Sequence, residues 1–175
     1  LYLSSTSEQF KDHFVKIAEE LKNDLNLKNK SVVLDIGSND GIFLEPVNKL
    51  GINAVGVEPA KNVAKIANSK NLTTYSEYFT DRTVKKILKK YGKIDLALLN
   101  FNAANCYPAC FDNLTHQEKI SEKDRIIKRN YDHMIELANE LMPVTVMPFA
   151  GTYILGGKEH TKNQYLAAGS AENCK

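Results

Sequence analysis

The sequence predicts an α/β fold: a Rossmann-like parallel sheet in the order 3-2-1-4-5, with helices on both faces. Three observations predict it. Buried-strand patterns alternate with helix patterns four times, over short links, as right-handed βα crossovers require. The runs SVVLDIG, NAVGVEP and IDLALLN are apolar nearly throughout, as central parallel strands covered on both faces must be. The first of them ends in a glycine turn, GSNDG, at the position where such sheets bind ligands.

Each element has its own justification. Phe10, Phe14, Ile17, Leu21 and Leu25 recur at helical spacing and predict a helix over 7–25, with Ser7 as its N-cap. Asn26 and Asn29 flank its end. SVVLDIG follows as strand one, then a helix over 40–50 stopped by Gly51. NAVGVEP (53–59) is strand two, and Val63, Ala64, Ile66 and Ala67 mark a helix over 60–70. LTTYSEY is a weaker strand three, the helix over 81–91 ends at Gly92, and IDLALLN (94–100) is strand four. FNAANCYPACFDN has no period and reads as a loop. Ile120, Ile127, Tyr131, Met134, Ala138 and Leu141 share one side of a helix over 117–141, VTVMPFA is a fifth strand, and a Gly-rich tail, GTYILGGKEH, follows.

Composition narrows the function classes. The chain has 175 residues, 43% hydrophobic and 25% charged, with a net charge of +2, which gives no electrostatic reason to expect nucleic acid or an anionic membrane as partner. No apolar run approaches the roughly 18–20 residues that span a bilayer. LYLSSTSEQF lacks the basic and apolar regions of a signal peptide, so the expected setting is cytoplasmic. Leu1 in place of Met, and an end at AENCK, are read as truncations. Cys106, Cys110 and Cys174 are too few for a disulfide framework and are expected as reduced thiols.

The turn carries the chemistry. Gly37 allows the backbone to turn tightly against a ligand, and Gly41 allows close approach as the next helix begins. G-S-N-D-G is not the G-x-G-x-x-G of a dinucleotide site, and Asp35 and Asp40 would repel a pyrophosphate. They would attract the ammonium group of S-adenosylmethionine. Glu58 ends strand two, about 20 residues further on, where an acid can accept hydrogen bonds from ribose hydroxyls. Tyr78 and Phe79, past strand three, offer an apolar wall for adenine.

LYLSSTSEQFKDHF, followed by VVLDIGSNDGIFLEPVNKLGINAVGVEPAKNVAKIAN, resembles the sugar C-methyltransferases over residues 2–97. The resemblance implies an incomplete methyltransferase fold, with S-adenosylmethionine as cofactor and a small-molecule substrate, a ketosugar on a nucleoside diphosphate. It implies a cofactor lining of Asp35, Gly37, Ser38, Asn39, Gly41 and Glu58, and Asp40, Pro59, Tyr78, Phe79 and Asn100 join these as candidate cofactor-binding residues. Asn100 heads the loop that such enzymes place after strand four, but FNAANCYPAC replaces the expected continuation with its histidine. The family's cysteine-ligated zinc module and second α/β domain are absent, and with them the catalytic base, which stays unassigned. Tyr2 and His13 sit in a stretch that borders the sugar pocket in such enzymes, or they simply pack at a helix start.

Residues 94–174 resemble instead the later half of a metallo-β-lactamase-fold hydrolase. The H-x-H-x-D-H motif of that fold is missing, and His13, His116, His133 and His160 are scattered, so no metal site is expected. The two resemblances meet in GKIDLALLN. The expected organisation is therefore a cofactor-binding half over 1–100 joined to a continuation over 101–175, as if two genes met at a shared strand. A hydrolase fragment and a non-catalytic α/β binding domain are the competing readings. The basic cluster of Arg82, Lys85, Lys86, Lys89, Lys90 and Lys93 is read as a solvated helix face.

Overall fold

The structure, a computed structural model, describes residues 3–102, 105–149 and 153–170. Its five strands are β1 (Val32–Ile36), β2 (Asn53–Val57), β3 (Thr74–Tyr75), β4 (Leu96–Asn100) and β5 (Thr145–Phe149), in the order β3-β2-β1-β4-β5. This is the expected strand order. β1 pairs in parallel with β2 and with β4, and β2 in parallel with β3. Helix α1 (Glu8–Asp24) precedes β1, and α2 (Leu44–Lys49), α3 (Lys61–Ser69), α4 (Asp81–Tyr91) and α5 (His116–Leu141) connect the successive strands. Among the described residues no helix is long and apolar enough to cross a membrane.

The chain divides into two compact units, one of Leu1–Leu98 with Glu140–Met147, the other of Leu99–Asn139 with Pro148–Lys175. In the first unit the core is the apolar strand runs themselves. Val33, Leu34, Leu96 and Leu98 are wholly buried, with Leu44 from α2 and Ile87 from α4. Phe14 of α1 meets Phe43 with ring centroids 5.9 Å apart. Ser7 caps α1 as expected, its Oγ accepting from the Phe10 N–H at 3.3 Å. In the second unit Leu99, Phe101, Ala109, Ile126, Met134 and Leu166 are buried, and Phe101 stacks on Tyr131 at 6.2 Å. Asn102 gives and takes a hydrogen bond with the backbone of Gly169, at 3.1 and 2.8 Å.

Four elements differ from their sequence expectation. α2 begins at Leu44 instead of residue 40, because the turn continues through Gly41, whose φ of 83° is not helical. β3 is only two residues long. The buried stripe of α5 runs through Ile126, Met134, Leu137 and Leu141, so Met134 and Leu141 are buried as expected, while the expected Ile120, Ile127, Tyr131 and Ala138 are half-buried. Gly157–Tyr165 forms a 3-10 helix where no element was expected. Tyr2 and Cys174 lie outside the described residues.

Candidate functional site

The candidate site is built where β1 ends. Parallel pairing with β2 brings Ile36 opposite Val57, so the turn after β1 and the acid after β2 emerge side by side. The Gly37 and Ser38 N–H groups both donate to the Val57 carbonyl, at 2.8 and 3.2 Å, which ties the turn to the end of β2. Gly37, Asn39 and Gly41 take positive φ values of 83°, 49° and 83°, so the chain coils tightly before α2 starts. Asparagine tolerates that conformation better than most side chains do.

The two glycines serve different ends. A Cβ on Gly37 would meet nothing within 4 Å, so this side of the turn is open. A Cβ on Gly41 would run into Leu72 Cδ1 and touch Ala67, so Gly41 is required by packing against the protein's own core. The close approach expected at Gly41 is therefore made to Leu72.

Glu58 is buried and holds the turn directly. One carboxylate oxygen accepts from the Asn39 N–H at 3.1 Å and the other from the Ala60 N–H at 2.8 Å, which bridges the turn to the start of α3. Each oxygen keeps a further lone-pair direction for a ligand. Asp35 is 2% exposed, and its Oδ1 has no hydrogen-bond partner. Burial in the first place, and then the charge of Glu58, push its carboxyl up to about 7. The Ser38 Oγ is also buried and unpartnered. A Cβ on Gly56, the register partner of Asp35, would collide with that Oγ. Paired residues of neighbouring strands project to the same face, so the Ser38 hydroxyl and the Asp35 carboxyl lie on one side of β1 and β2. Unsatisfied buried polar groups are rare in native proteins, and two together mark a place where something polar belongs.

Asp40 is fully buried, and its charge is answered within the protein. The Lys70 Nζ reaches its carboxylate at 3.4 Å and its backbone carbonyl at 3.1 Å, and the Ser5 hydroxyl donates to Oδ2, leaving Oδ1 unpartnered. The Ser4 N–H donates to the Asn39 Oδ1 at 3.0 Å. The segment SSTS thus forms a strap across the turn, a role that sequence reasoning did not assign to it. Nothing local in the sequence links Lys70 to Asp40, which lie 30 residues apart.

The remaining candidates spread out. Pro59 is exposed beside Glu58. Tyr78 is 76% exposed and Phe79 half-buried, in the loop between β3 and α4. Asn100 closes β4 and belongs to the second unit, where its Oδ1 accepts from the Asn102 N–H at 2.8 Å. His13 lies on α1, its ring 5.7 Å from that of Phe14. Among the described residues, no group of three or more His, Cys, Asp and Glu side chains is placed to hold a metal ion. The basic residues of α4 are exposed, and Lys86 pairs with Glu77 at 2.7 Å.

No family model matches the chain. Over 91 residues, 52% of this chain, it is 30% identical to the C-methyltransferase NovU of Streptomyces niveus. The chain spans 22% of the length of that curated relative. Among solved structures it is similar to an SAM-dependent methyltransferase from Archaeoglobus fulgidus, at 18% identity and a TM-score of 0.43, over 74% of this chain and 48% of that one. It is similar also to the plantazolicin methyltransferase BpumL in complex with SAH, at 16% identity and a TM-score of 0.41, over 97% of this chain and 67% of that one. These likenesses are low in sequence and in superposition alike, and the fold assignment stands on the chain's own strand order.

Proposed function

We propose that the first unit is the S-adenosylmethionine-binding half of a methyltransferase of the nucleotide-sugar C-methyltransferase type. The observation that carries this reading is the pair of unpartnered buried groups, Asp35 Oδ1 and Ser38 Oγ, beside the open face of Gly37 and next to Glu58. The donor set fits the cofactor's chemistry, because it offers carboxylates and space, with no basic side chain paired to Asp35 or Glu58 among the described ion pairs. A phosphate would be repelled there and a cation favoured.

S-adenosylmethionine supplies, when bound, an electrophilic methyl group on a positively charged sulfur. The chain's own residues would do the rest. Gly37 leaves room for a ligand against the backbone. Glu58 accepts from the ribose hydroxyls through its free lone pairs, while its other contacts keep the carboxylate in place. Asp35 supplies negative field from beneath the turn, and Ser38, Asn39, Asp40 and Gly41 set the turn's shape. Pro59, Tyr78 and Phe79 complete the lining in this reading, the two aromatic rings as the adenine wall. What supports the acceptor assignment, a ketosugar on a nucleoside diphosphate in the cytoplasm, is the resemblance of residues 2–97 and the likeness to a C-methyltransferase over 91 residues. No observation favours the hydrolase reading.

Calorimetric titration of the purified chain with S-adenosylhomocysteine tests the proposal. Saturable binding is expected, and Glu58→Ala should weaken it by about 1.5–3 kcal/mol, the range for a hydrogen bond to a charged group. A chain that circular dichroism shows to be folded, yet binds nothing, would overturn it.

A further inference from the structure

We infer that binding of a cation at the β1 turn expels a proton from Asp35, so that this carboxyl group sets the pH range in which the site fills. The inference rests on reading the turn as an S-adenosylmethionine site, and it concerns what the protein must do to accept a positively charged ligand.

The geometry is specific. Asp35 is 2% exposed at the end of a central strand, with one carboxylate oxygen left without a partner. Its register partners are Gly56 on β2 and Leu98 on β4, neither of which offers a charge or a side-chain hydrogen bond. The turn above it brings Ser38, whose hydroxyl is itself unpartnered, and Asp40, whose charge is taken up by Lys70. From just past β2, Glu58 faces it with a second negative charge, and among the described residues no cation pairs with Asp35. A buried acid beside another acid, with no base to balance it, keeps its proton to near neutral pH, and Asp35 titrates at about 7.

A positive ligand beside the pair reverses that balance. It favours the ionised carboxylate, and by linkage the ionised carboxylate favours the ligand by the same factor. The sign follows directly. Below pH 7 Asp35 is protonated in the free protein, so binding must release close to one proton. Near pH 7 it releases about half a proton, and above that range none. Affinity for the cation therefore falls about tenfold for each pH unit below 7 and is flat above it. An uncharged ligand of the same shape has no reason to expel the proton.

The test is calorimetric titration of the whole chain between pH 6 and 7.5, in two buffers of different ionisation enthalpy, with S-adenosylmethionine and with adenosine. The expected result is proton release approaching one per site at pH 6 for S-adenosylmethionine and none for adenosine. Asp35→Asn should abolish both the release and the pH dependence. If that variant fails to fold, the contrast between the two ligands on the wild-type chain decides alone. S-adenosylmethionine binding without proton release, or release that persists in Asp35→Asn, overturns the inference and leaves the cofactor reading standing. No binding at any pH by the folded chain overturns the cofactor reading, and the inference with it.

Discussion

Gly37 and Gly41 share a φ of 83°, yet a methyl group at each would report on different things. At Gly37 a Cβ finds open space, so Gly37→Ala bears mainly the backbone cost of a left-handed conformation, roughly 1–2 kcal/mol. At Gly41 the same cost is joined by a collision with Leu72, and overpacking of that kind adds about 1–3 kcal/mol. Denaturant titration should therefore rank Gly41→Ala as the less stable variant. Ligand titration should rank them the other way, with Gly37→Ala losing more affinity than its stability loss explains. Equal effects on both readouts would mean that the open face of Gly37 is not a binding surface.

At the scale of elements, the strap Leu3–Ser7 is held to the turn by few bonds, and Lys70 anchors the Asp40 end of them. Lys70 is about one-third exposed, so its ion pair is partly screened, but Asp40 is not, and a buried carboxylate without its cation is costly. Lys70→Met should speed hydrogen exchange of the Ser4 amide about tenfold while leaving the amides of β1 and β2 protected. Unchanged exchange at Ser4 would show that the strap holds without the lysine. This part of the site was the least legible in the sequence, because Ser4, Ser5 and Lys70 meet Asn39 and Asp40 from more than 25 residues away and carry no periodic pattern. The strands were legible for the opposite reason: Val33, Leu34, Val55, Leu96 and Leu98 are buried whatever partner they find, and apolar runs announce that locally. The polar run GKEHTKNQY gave no period, so its 3-10 helix went unread. Glu58 was legible as an acid at a strand end, but its bonds to the Asn39 and Ala60 amides were not.

For the whole molecule, Asp35 makes stability depend on pH. Its carboxyl titrates at about 7 in the folded chain and near 3.8 when exposed, so the folded state holds the extra proton between those values. Stability from this group is complete below about pH 4 and declines as pH rises through 7, at about 1.4 kcal/mol for each pKa unit of difference. Asp35→Asn should remove that decline, giving a chain a few kcal/mol more stable than wild type at pH 8 and little changed at pH 4, as read by urea denaturation at both values. A wild-type stability that rises between pH 4 and 8 relative to Asp35→Asn would contradict the buried, unpaired state of this carboxyl.

The clasp between Asn102 and Gly169 has a temporal meaning. Its two halves are 67 residues apart, so the loop it closes stays open until Gly169 has left the ribosome. β1, β2, β3 and the Glu58 bridge are all encoded before residue 76, and they can pair while the partners of Asn102 are still unmade. During synthesis the turn after β1 can thus assemble first, and the second unit is fastened last.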